Sequence, residues 1–390
     1  MTEVNPEILF SIKKEDLESG LRGFPVGYCP TSTVNPTKGL FYGDKTISEI
    51  AHWSPERAIY LLYYGRDGSN QEITDFSDDL RKRAHCSPDV INHIKQLPKQ
   101  GHPMKLFSAA LLIAGMLEGK NNYQEDCLNL IAQIPEITAT VINYHAGWGG
   151  IQPSRPDLGY MENFTQMLNV PRGDLNLLTN TFQLFNVLHF DHGGGNLSTF
   201  VGKSVASGLE DMYGSIASAM CALAGPRHGK ANQDSLEFIQ SLIDTLGNNP
   251  SPEDLEKELR NRLADKQLIF GFGHAVLRVE DPRATVLYER ALANFSNHPL
   301  VNMALLLRKV APKILEENPK ISDPYPNVDA ISGIILMAAG FPYPEYFTVL
   351  FGLSRVVGIA IQIVYERCEA RGGKGLPIVR PKYLYRPRGE

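Results

Sequence analysis

The stretch VASGLEDMYGSIASAMCAL, residues 205–223, is the part of the chain that indicates most about the fold. It is apolar along much of its length and rich in small residues, among them Ala217, Ala219 and Ala222. Small side chains let helix axes approach closely, as they do in the interior of a large helical bundle. We therefore predict one buried helix over residues 205–223.

Other segments repeat the same helical pattern, with apolar side chains at i, i+3 and i+4. Helices are predicted over residues 47–64, 104–117, 127–141, 300–315 and 347–365. Apolar and polar residues do not alternate over a stretch long enough to indicate a large sheet. Only residues 39–47 favour a small hairpin. The predicted fold class is mainly α.

The composition is that of an ordinary globular protein. With 43% hydrophobic and 21% charged residues, the 390-residue chain has material for a large core. The net charge of -5 argues against a nucleic acid partner, which would favour a basic surface. The apolar stretch at residues 109–117 is about half of the ~20 residues that span a bilayer. We expect neither nucleic acid nor membrane as a partner.

The N-terminus and the cysteines favour the cytoplasm. Residues 1–16 carry four acidic side chains and no apolar run, unlike a secretory signal or a mitochondrial presequence. The five cysteines are widely spaced and include no C-x-x-C pair. That pattern fits a reducing compartment, without disulfides or structural zinc.

Two polar segments predict the domain boundaries. GNNPSPED, residues 247–254, indicates a loop followed by a helix, with Ser251 as N-cap and Pro252 at the first helical position. Residues 317–326 form a polar connector that contains proline. We therefore expect a smaller unit, residues 230–340, inserted between two parts of a larger one, residues 1–229 and 341–390.

Four separated segments combine glycines with histidine, arginine and aspartate, and together they hold four of the ten histidines. They are HFDHGGGN (189–196), AGPRHGKANQ (224–233), GFGHAVLRVEDPR (271–283) and PNVDAISG (326–333). Glycine lets the backbone approach a ligand, and polar clusters between apolar helices are how a rigid scaffold presents a site. We predict that the four segments meet at one site.

The HFDH segment has three interpretations. His189 and His192 could bind a metal with Asp191 as an oxygen ligand, or they could be structural. Because the segment runs into three glycines, it is expected to end a helix, which favours contact with an anionic substrate.

The next two segments each position a histidine. Pro226 and Gly229 place His228 in a tight bend, where it is either a positioned donor or an exposed loop residue. GFGH resembles a phosphate loop only weakly, because it lacks the G-x-G-x-x-G spacing. Proline in Asp281-Pro-Arg283 fixes the backbone beside an arginine that could bind a carboxylate bidentately.

The last candidates are a carboxylate and several arginines. Asp329 at a helix start is either an N-cap or a desolvated base. Arg355 follows Phe351 in an apolar helix and therefore requires an anion. Arg380 and Lys382 either bind the same anion or belong to a solvated tail. One base, several histidine donors and several arginines suit carbon–carbon bond formation through an enolate, with a dicarboxylate partner.

These segments, with TVLFGLSR at residues 348–355, resemble the motifs of the citrate synthase family in the family's order, over roughly half the chain. The resemblance implies a multi-helical homodimer with a large and a small domain, which condenses acetyl-CoA with oxaloacetate to citrate and CoA through citryl-CoA. It implies no metal and no redox cofactor. The near alternative is 2-methylcitrate synthase, which uses propionyl-CoA. A non-catalytic regulatory protein and a histidine-rich metallohydrolase are alternatives from other classes.

The resemblance also implies a role for individual residues. Asp329 deprotonates the acetyl-CoA methyl group, His228 stabilises the enolate, and His274 polarises and protonates the oxaloacetate carbonyl. The implied oxaloacetate ligands are His192, Asn196, Arg283, Phe351, Arg355 and, from a second subunit, Arg380. CoA is expected at Arg278 and at the backbone of Gly271, Phe272 and Gly273. The family's early Y-R-G-Y element is here GLFYGDKTISEI, residues 39–50, without the arginine, so this stretch departs from the family pattern.

Overall fold

The structure is a computed structural model that describes residues 11–171 and 173–388. It confirms the mainly α class, since helices make up most of the described chain. The helices are α1 (Ile47–Ile50), α2 (Pro55–Tyr64), α3 (Asn70–Arg83), α4 (Pro88–Ile94), α5 (Pro103–Glu118), α6 (Tyr123–Ala146), α7 (Tyr160–Met167), α8 (Leu175–His189), α9 (Leu197–Ala206), α10 (Met212–Leu223), α11 (Ala231–Leu246), α12 (Pro252–Ala264), α13 (Pro282–Phe295), α14 (Pro299–Leu315), α15 (Asp329–Ala338) and α16 (Phe347–Val364). Short 3-10 turns lie at Lys14–Glu18 and Pro344–Tyr346, and a π-helical turn, Tyr365–Glu369, leads into a last turn at Ala370–Gly373.

Two of the predicted helices are each broken into two. Residues 205–223 do not form one helix, because α9 ends at Ala206 and α10 begins at Met212. Leu209 between them has a φ of 69°, and the Asp211 side chain caps α10 by accepting from Gly214 N. Residues 47–64 likewise divide into α1 and α2, since Ser54 starts a new helix with its side-chain cap. In both cases a strong local cap overrides a continuous apolar pattern.

The small sheet is larger than the predicted hairpin. Strands β2 (Gly39–Tyr42) and β3 (Lys45–Thr46) pair antiparallel, as predicted. A further strand, β1 (Ser32–Asn35), pairs antiparallel with β2 and was missed. Gly39 has a φ of 87°, and a Cβ there would lie 2.4 Å from Pro282 Cγ. The sheet therefore packs directly against the start of α13.

Helix α16 forms the centre of the larger group of helices and packs against α6, α8, α9 and α10. Within the described residues, one helical stretch, Pro344–Gly373, is long and apolar enough to cross a membrane, with a mean hydropathy of 1.9. The fold buries 94% of that apolar window, as expected for the core helix of a globular protein.

Helices α11 to α15 pack mainly on one another. Ser251 caps α12 with Pro252 at its first position, as predicted. This group meets the rest of the chain where α15 contacts α8 and where α13 contacts α1 and β2. The predicted site segments lie along this boundary.

Candidate active site

The HFDHGGGN segment ends helix α8 and starts helix α9, so its two histidines do not share a helix face. His189 is buried and bonds through Nδ1 to Phe185 O at 2.7 Å. Burial lowers the pKa of His189 to about 3, and Arg283 adds to the effect. Asn196 caps α9, because its Oδ1 accepts from Thr199 N at 3.1 Å. The histidine at the start of the segment is thus a core residue, and the asparagine at its end has a helix-capping bond.

Asp191 is saturated by donors from the chain itself. Its carboxylate accepts from Thr31 Oγ1, from Ser32 Oγ at 2.8 Å, from His192 N at 2.9 Å and from Gln362 Nε2 at 2.9 Å. A carboxylate with this many protein donors is not arranged as a metal ligand. In the described ranges no group of three or more His, Cys, Asp or Glu residues is placed to hold a metal ion.

His192 presents an unsatisfied ring nitrogen. Its Nε2 is buried and has no hydrogen-bond partner in the described part of the chain. Burial lowers the pKa of His192 well below its ordinary value, and Arg283 and Arg355 lower it further. The ring centroid lies 5.3 Å from that of His274. A neutral imidazole nitrogen without a partner is available to a ligand.

The His274 ring is held in one tautomer. Its Nδ1 accepts from Val276 N and Leu277 N, both at 3.0 Å. The ring proton therefore resides on Nε2, which is the donor. Burial lowers the pKa of His274, and Arg283 lowers it further. Residues 274–281 are not helical, and Arg278 Nη1 donates to His274 O at 3.4 Å.

The His228 ring is fixed in the opposite tautomer. Ser198 N donates to His228 Nε2 at 3.1 Å, which leaves the proton on Nδ1. Burial lowers the pKa of His228 to about 4, with a contribution from Arg355. The residue is half-buried just after α10, which is the geometry of a positioned donor and not that of an exposed loop histidine.

A short backbone ladder joins the GFGH and PNVD segments. Phe272 and Pro326 form an antiparallel bridge, in which Gly273 N donates to Tyr325 O at 3.0 Å and Asn327 N donates to Gly271 O at 2.9 Å. Gly271 has a positive φ of 82°, which favours glycine. A Cβ at this position would also lie 2.7 Å from Ala330 Cα, so a side chain has no space there. The ladder therefore brings the histidine segment against the start of α15.

Asp329 is the first residue of α15 and is not its side-chain cap. The N-cap is Val328, without a side-chain hydrogen bond. Burial raises the pKa of Asp329 to about 6, against the opposing effect of Arg283. Across the described residues no donor bonds to its carboxyl; only its backbone N–H is engaged, with Asn327 Oδ1 at 2.9 Å. A desolvated carboxyl with this pKa suits proton abstraction near neutral pH.

Two buried arginines flank this carboxyl, and they differ in their partners. Arg283 forms an ion pair with Asp281, with Nη2 and Oδ2 2.7 Å apart. Arg355 is 2% exposed, donates through Nε to His189 O at 3.1 Å and lies 4.7 Å from the Phe351 ring centroid. Within the described chain it has no acidic partner within 4.0 Å, and burial lowers its pKa to about 10. Such a cation requires an anionic ligand.

The remaining predicted residues have clear positions. Phe351 lies half-buried under Arg355, between that guanidinium and the ring of His189. Gly271 and Gly273 use carbonyl or amide groups in the ladder, whereas the N–H and C=O of Phe272 point away from it and have no partner among the described residues. Arg380 is exposed in the C-terminal tail, and this chain does not bring it to its own site.

Sequence reasoning missed the residues that hold the site in place. Ser198 fixes the His228 tautomer through its backbone, and Gln362 bonds Asp191 from α16. A glutamine inside the apolar run of α16 was the one signal that could have indicated Gln362. No side-chain pattern reports a backbone donor such as Ser198 N.

Comparison with known proteins shows the family of the chain. The family model described as citrate synthase, C-terminal domain, matches residues 20–387. The chain is 35% identical over 387 residues to citrate synthase 4, mitochondrial, of Arabidopsis thaliana, covering 93% of this chain and 80% of that protein. It is 34% identical over 390 residues to the probable mitochondrial citrate synthase of Glossina morsitans morsitans, covering 94% and 82%.

Solved structures extend the likeness to the whole fold. Citrate synthase from Pyrobaculum aerophilum superposes with a TM-score of 0.81 at 28% identity, covering 95% of this chain and 93% of that one. The Thermoplasma acidophilum enzyme, solved as a ternary complex with carboxymethyl coenzyme A and oxaloacetate, gives 0.81 at 26% identity, covering 95% and 96%. The chain belongs to the citrate synthase family.

Proposed function

We propose that the chain is an acyltransferase that condenses acetyl-CoA with oxaloacetate and water to give citrate and CoA. The observation that carries this proposal is the half-buried carboxyl of Asp329, whose pKa is raised to about 6, together with two histidines whose neutral tautomers are fixed by backbone donors. That combination supplies one base and two oxyanion donors. Family membership and the Thermoplasma complex support the choice of substrates.

Oxaloacetate binds at the part of the site that contains Arg283, Arg355 and His192. The Arg355 guanidinium pairs with one carboxylate, since within the described chain no acidic side chain forms an ion pair with it within 4.0 Å. His192 Nε2 gains the hydrogen bond that it otherwise lacks. Arg283, which Asp281 holds in an ion pair, is the second arginine at the oxaloacetate position. A preorganised guanidinium binds a planar carboxylate bidentately.

Condensation then depends on the base Asp329 and on the two ring N–H donors of His228 and His274. Asp329 removes a proton from the acetyl-CoA methyl group, while His228 Nδ1–H donates to the enolate oxygen. His274 Nε2–H donates to the oxaloacetate ketone as the enolate carbon attacks it, and that oxygen becomes the hydroxyl of citryl-CoA. Hydrolysis of the thioester at the same site releases citrate and CoA.

CoA lies along the 271–278 segment. The outward-facing amide and carbonyl of Phe272 can pair with the edge of an adenine ring. Among the described residues, the exposed Arg278 donates to the backbone carbonyls His274 O and Leu277 O and to no carboxylate, so its charge is available to a phosphate. The proposal needs no metal and no redox cofactor.

The proposal includes two domains and a second subunit. Residues 1–229 and 341–390 form the large domain and residues 230–340 the small one, supported by the packing of α11 to α15 on one another. In a homodimer the exposed Arg380 reaches the neighbouring oxaloacetate site. Analytical ultracentrifugation tests the dimer, and an active monomer would contradict it.

Thiol release from acetyl-CoA, with and without oxaloacetate, tests the reaction. We expect release only when both substrates are present. Release without oxaloacetate, or none with both, would contradict the proposal. Unchanged activity in EDTA separates it from the metallohydrolase alternative.

The acyl group needs a separate comparison. The 2-methylcitrate synthase alternative uses propionyl-CoA with the same site residues. One methylene changes discrimination by only ~1–3 kcal/mol, so the motifs do not separate the two activities. We expect a higher kcat/KM for acetyl-CoA than for propionyl-CoA, and the reverse order would assign the alternative.

The cellular compartment stays a prediction. The sequence favours the cytoplasm, whereas the curated relatives from Arabidopsis and Glossina carry mitochondrial names. Fractionation of the source cells tests it, and co-purification with mitochondria would replace the cytoplasmic prediction.

A further inference from the structure

A chain of buried polar side chains runs from the π-helical turn after α16 to the loop of His192. Lys203 Nζ and Glu366 Oε1 lie 2.9 Å apart, and these side chains are only 10% and 9% exposed. Lys203 Nζ also donates to Gln362 Oε1 at 3.3 Å. Gln362 Nε2 donates to both oxygens of Asp191, at 2.9 and 3.1 Å. The reaction steps described above do not use Lys203, Gln362 or Glu366.

The lysine determines how the glutamine amide is oriented. An ammonium group can only donate, so it selects Oε1 of Gln362 and leaves Nε2–H for Asp191. With the amide reversed, its oxygen would face the Asp191 carboxylate and its NH2 group would face the ammonium, so both contacts would be unfavourable. Lys203 and Asp191 together permit one orientation of Gln362.

Asp191 transfers that orientation to the backbone of the oxaloacetate loop. Its Oδ1 accepts from His192 N at 2.9 Å, and Gln362 Nε2 also approaches Gly193 O at 3.4 Å. Gly194 of this loop lies close to both side chains, since a Cβ there would be 2.9 Å from Lys203 Nζ and 3.2 Å from Gln362 Oε1. The glycine backbone therefore packs directly on the lysine–glutamine pair.

We propose that Lys203 and Gln362 are positioning residues for oxaloacetate, because they hold Asp191 and, through it, the backbone of His192. This inference rests on the proposed function, which assigns His192 to oxaloacetate. It concerns binding of one substrate and leaves the proton chemistry of Asp329 unaffected.

Gln362→Met tests the inference, because methionine has a similar shape and cannot form the two hydrogen bonds. We expect KM for oxaloacetate to rise about tenfold or more, as for loss of a hydrogen bond to a charged group. KM for acetyl-CoA and kcat should change less. The matched control is Gln133→Met, since buried Gln133 also joins a carboxylate, Glu118 Oε2 at 2.7 Å, to a donor, Tyr213 Oη at 3.4 Å. The control should lower Tm and keep KM.

The double variant Lys203→Met/Glu366→Gln is a second test if Gln362→Met does not fold. It removes both charges, so no buried ion is left unpaired, and it frees the Gln362 amide to rotate. KM for oxaloacetate should again rise. A wild-type KM in either folded variant, with only a loss of Tm, would overturn the inference. Wild-type protein without condensing activity would overturn the proposed function instead and remove the basis of this inference.

Discussion

Asp191 and Asp329 are carboxylates of the same site, yet the chain surrounds them in opposite ways. Asp191 accepts from Ser32 Oγ at 2.8 Å and from His192 N and Gln362 Nε2, both at 2.9 Å. The carboxyl of Asp329 has no donor within the described residues, and burial raises its pKa to about 6. The first carboxylate therefore holds the architecture, while the second is left reactive.

The two buried arginines repeat this contrast. Arg283 has its counter-ion, Asp281, two residues away, whereas Arg355 forms no ion pair within 4.0 Å in the described chain. A polar group that the fold satisfies stabilises the fold, and one that it leaves unsatisfied costs stability until a ligand binds. The two carboxylates can thus be separated by their hydrogen bonds into a positioning group, Asp191, and a reacting group, Asp329.

The largest effect is expected from Asp329→Asn. Loss of the base should reduce exchange of the acetyl-CoA methyl protons by about 10³-fold or more, while oxaloacetate still binds. A carboxyl whose pKa is raised from 3.8 to about 6 by folding stabilises the protein when protonated, and this contribution is lost as the pH rises through 6. The asparagine variant should therefore keep or raise Tm at pH 7. NMR of the exchange in D2O and thermal melts measure both effects.

Asp191→Asn is the control for that variant. The same substitution at the saturated carboxylate should lower Tm, because the new amide group turns an NH2 donor toward protein donors. Undiminished exchange in Asp329→Asn would contradict the base assignment. A Tm loss equal to that of Asp191→Asn would contradict the contrast between the two carboxylates.

Arg355→Met should raise KM for oxaloacetate by about 100-fold, as for the loss of a bidentate charged contact. It should lower Tm less than Arg283→Met does, because Arg355 has no ion pair within 4.0 Å in the described chain and only a longer-range interaction with Asp191. Arg283→Met should lower Tm, since it leaves Asp281 buried and unpaired. Steady-state kinetics and thermal melts of both variants measure these effects. A lower Tm for Arg355→Met than for Arg283→Met would refute the distinction between the paired and the unpaired arginine.

The pH profile should show a more moderate effect. Below pH 6, kcat/KM should fall about tenfold per pH unit, because Asp329 becomes protonated and cannot accept the methyl proton. His228 has a pKa of about 4 and stays neutral over most of this range. Initial rates between roughly pH 4.5 and 8, a range that brackets the pKa of Asp329, measure this limb. A limb centred near an ordinary aspartate pKa would show that burial does not tune Asp329.

The smallest effect is expected from Ser198→Ala. The donor that fixes the His228 tautomer is the backbone N–H of Ser198, which alanine keeps. Loss of the hydroxyl contact at 2.9 Å should change kcat by no more than about threefold. Rate measurements on the purified variant check this, and a loss as large as that of His228→Ala would assign the positioning to the side chain.

Much of the site could be predicted because its signals are local. Pro226 and Gly229 indicated a bend around His228, and the glycines after His192 indicated a helix end; the structure has both. The prediction of two long continuous helices was wrong where a helix cap interrupts an apolar run, at Ser54 and at Asp211. Apolar periodicity reports which face is buried, and it does not report a short break between two helices that bury the same face.

The sequence by itself determined the mainly α class, the segments that carry the chemistry and the residue types in them, because helix periodicity, capping and glycine turns act over a few residues. The tertiary structure decided which polar groups form hydrogen bonds within the protein and which are left for a ligand. Gln362 meets Asp191 from 171 positions away, and the tautomer of His228 depends on a backbone N–H 30 positions away. Desolvation and hydrogen-bond partners come from distant segments, so the shifted pKa values and the fixed tautomers arise only once the chain is folded.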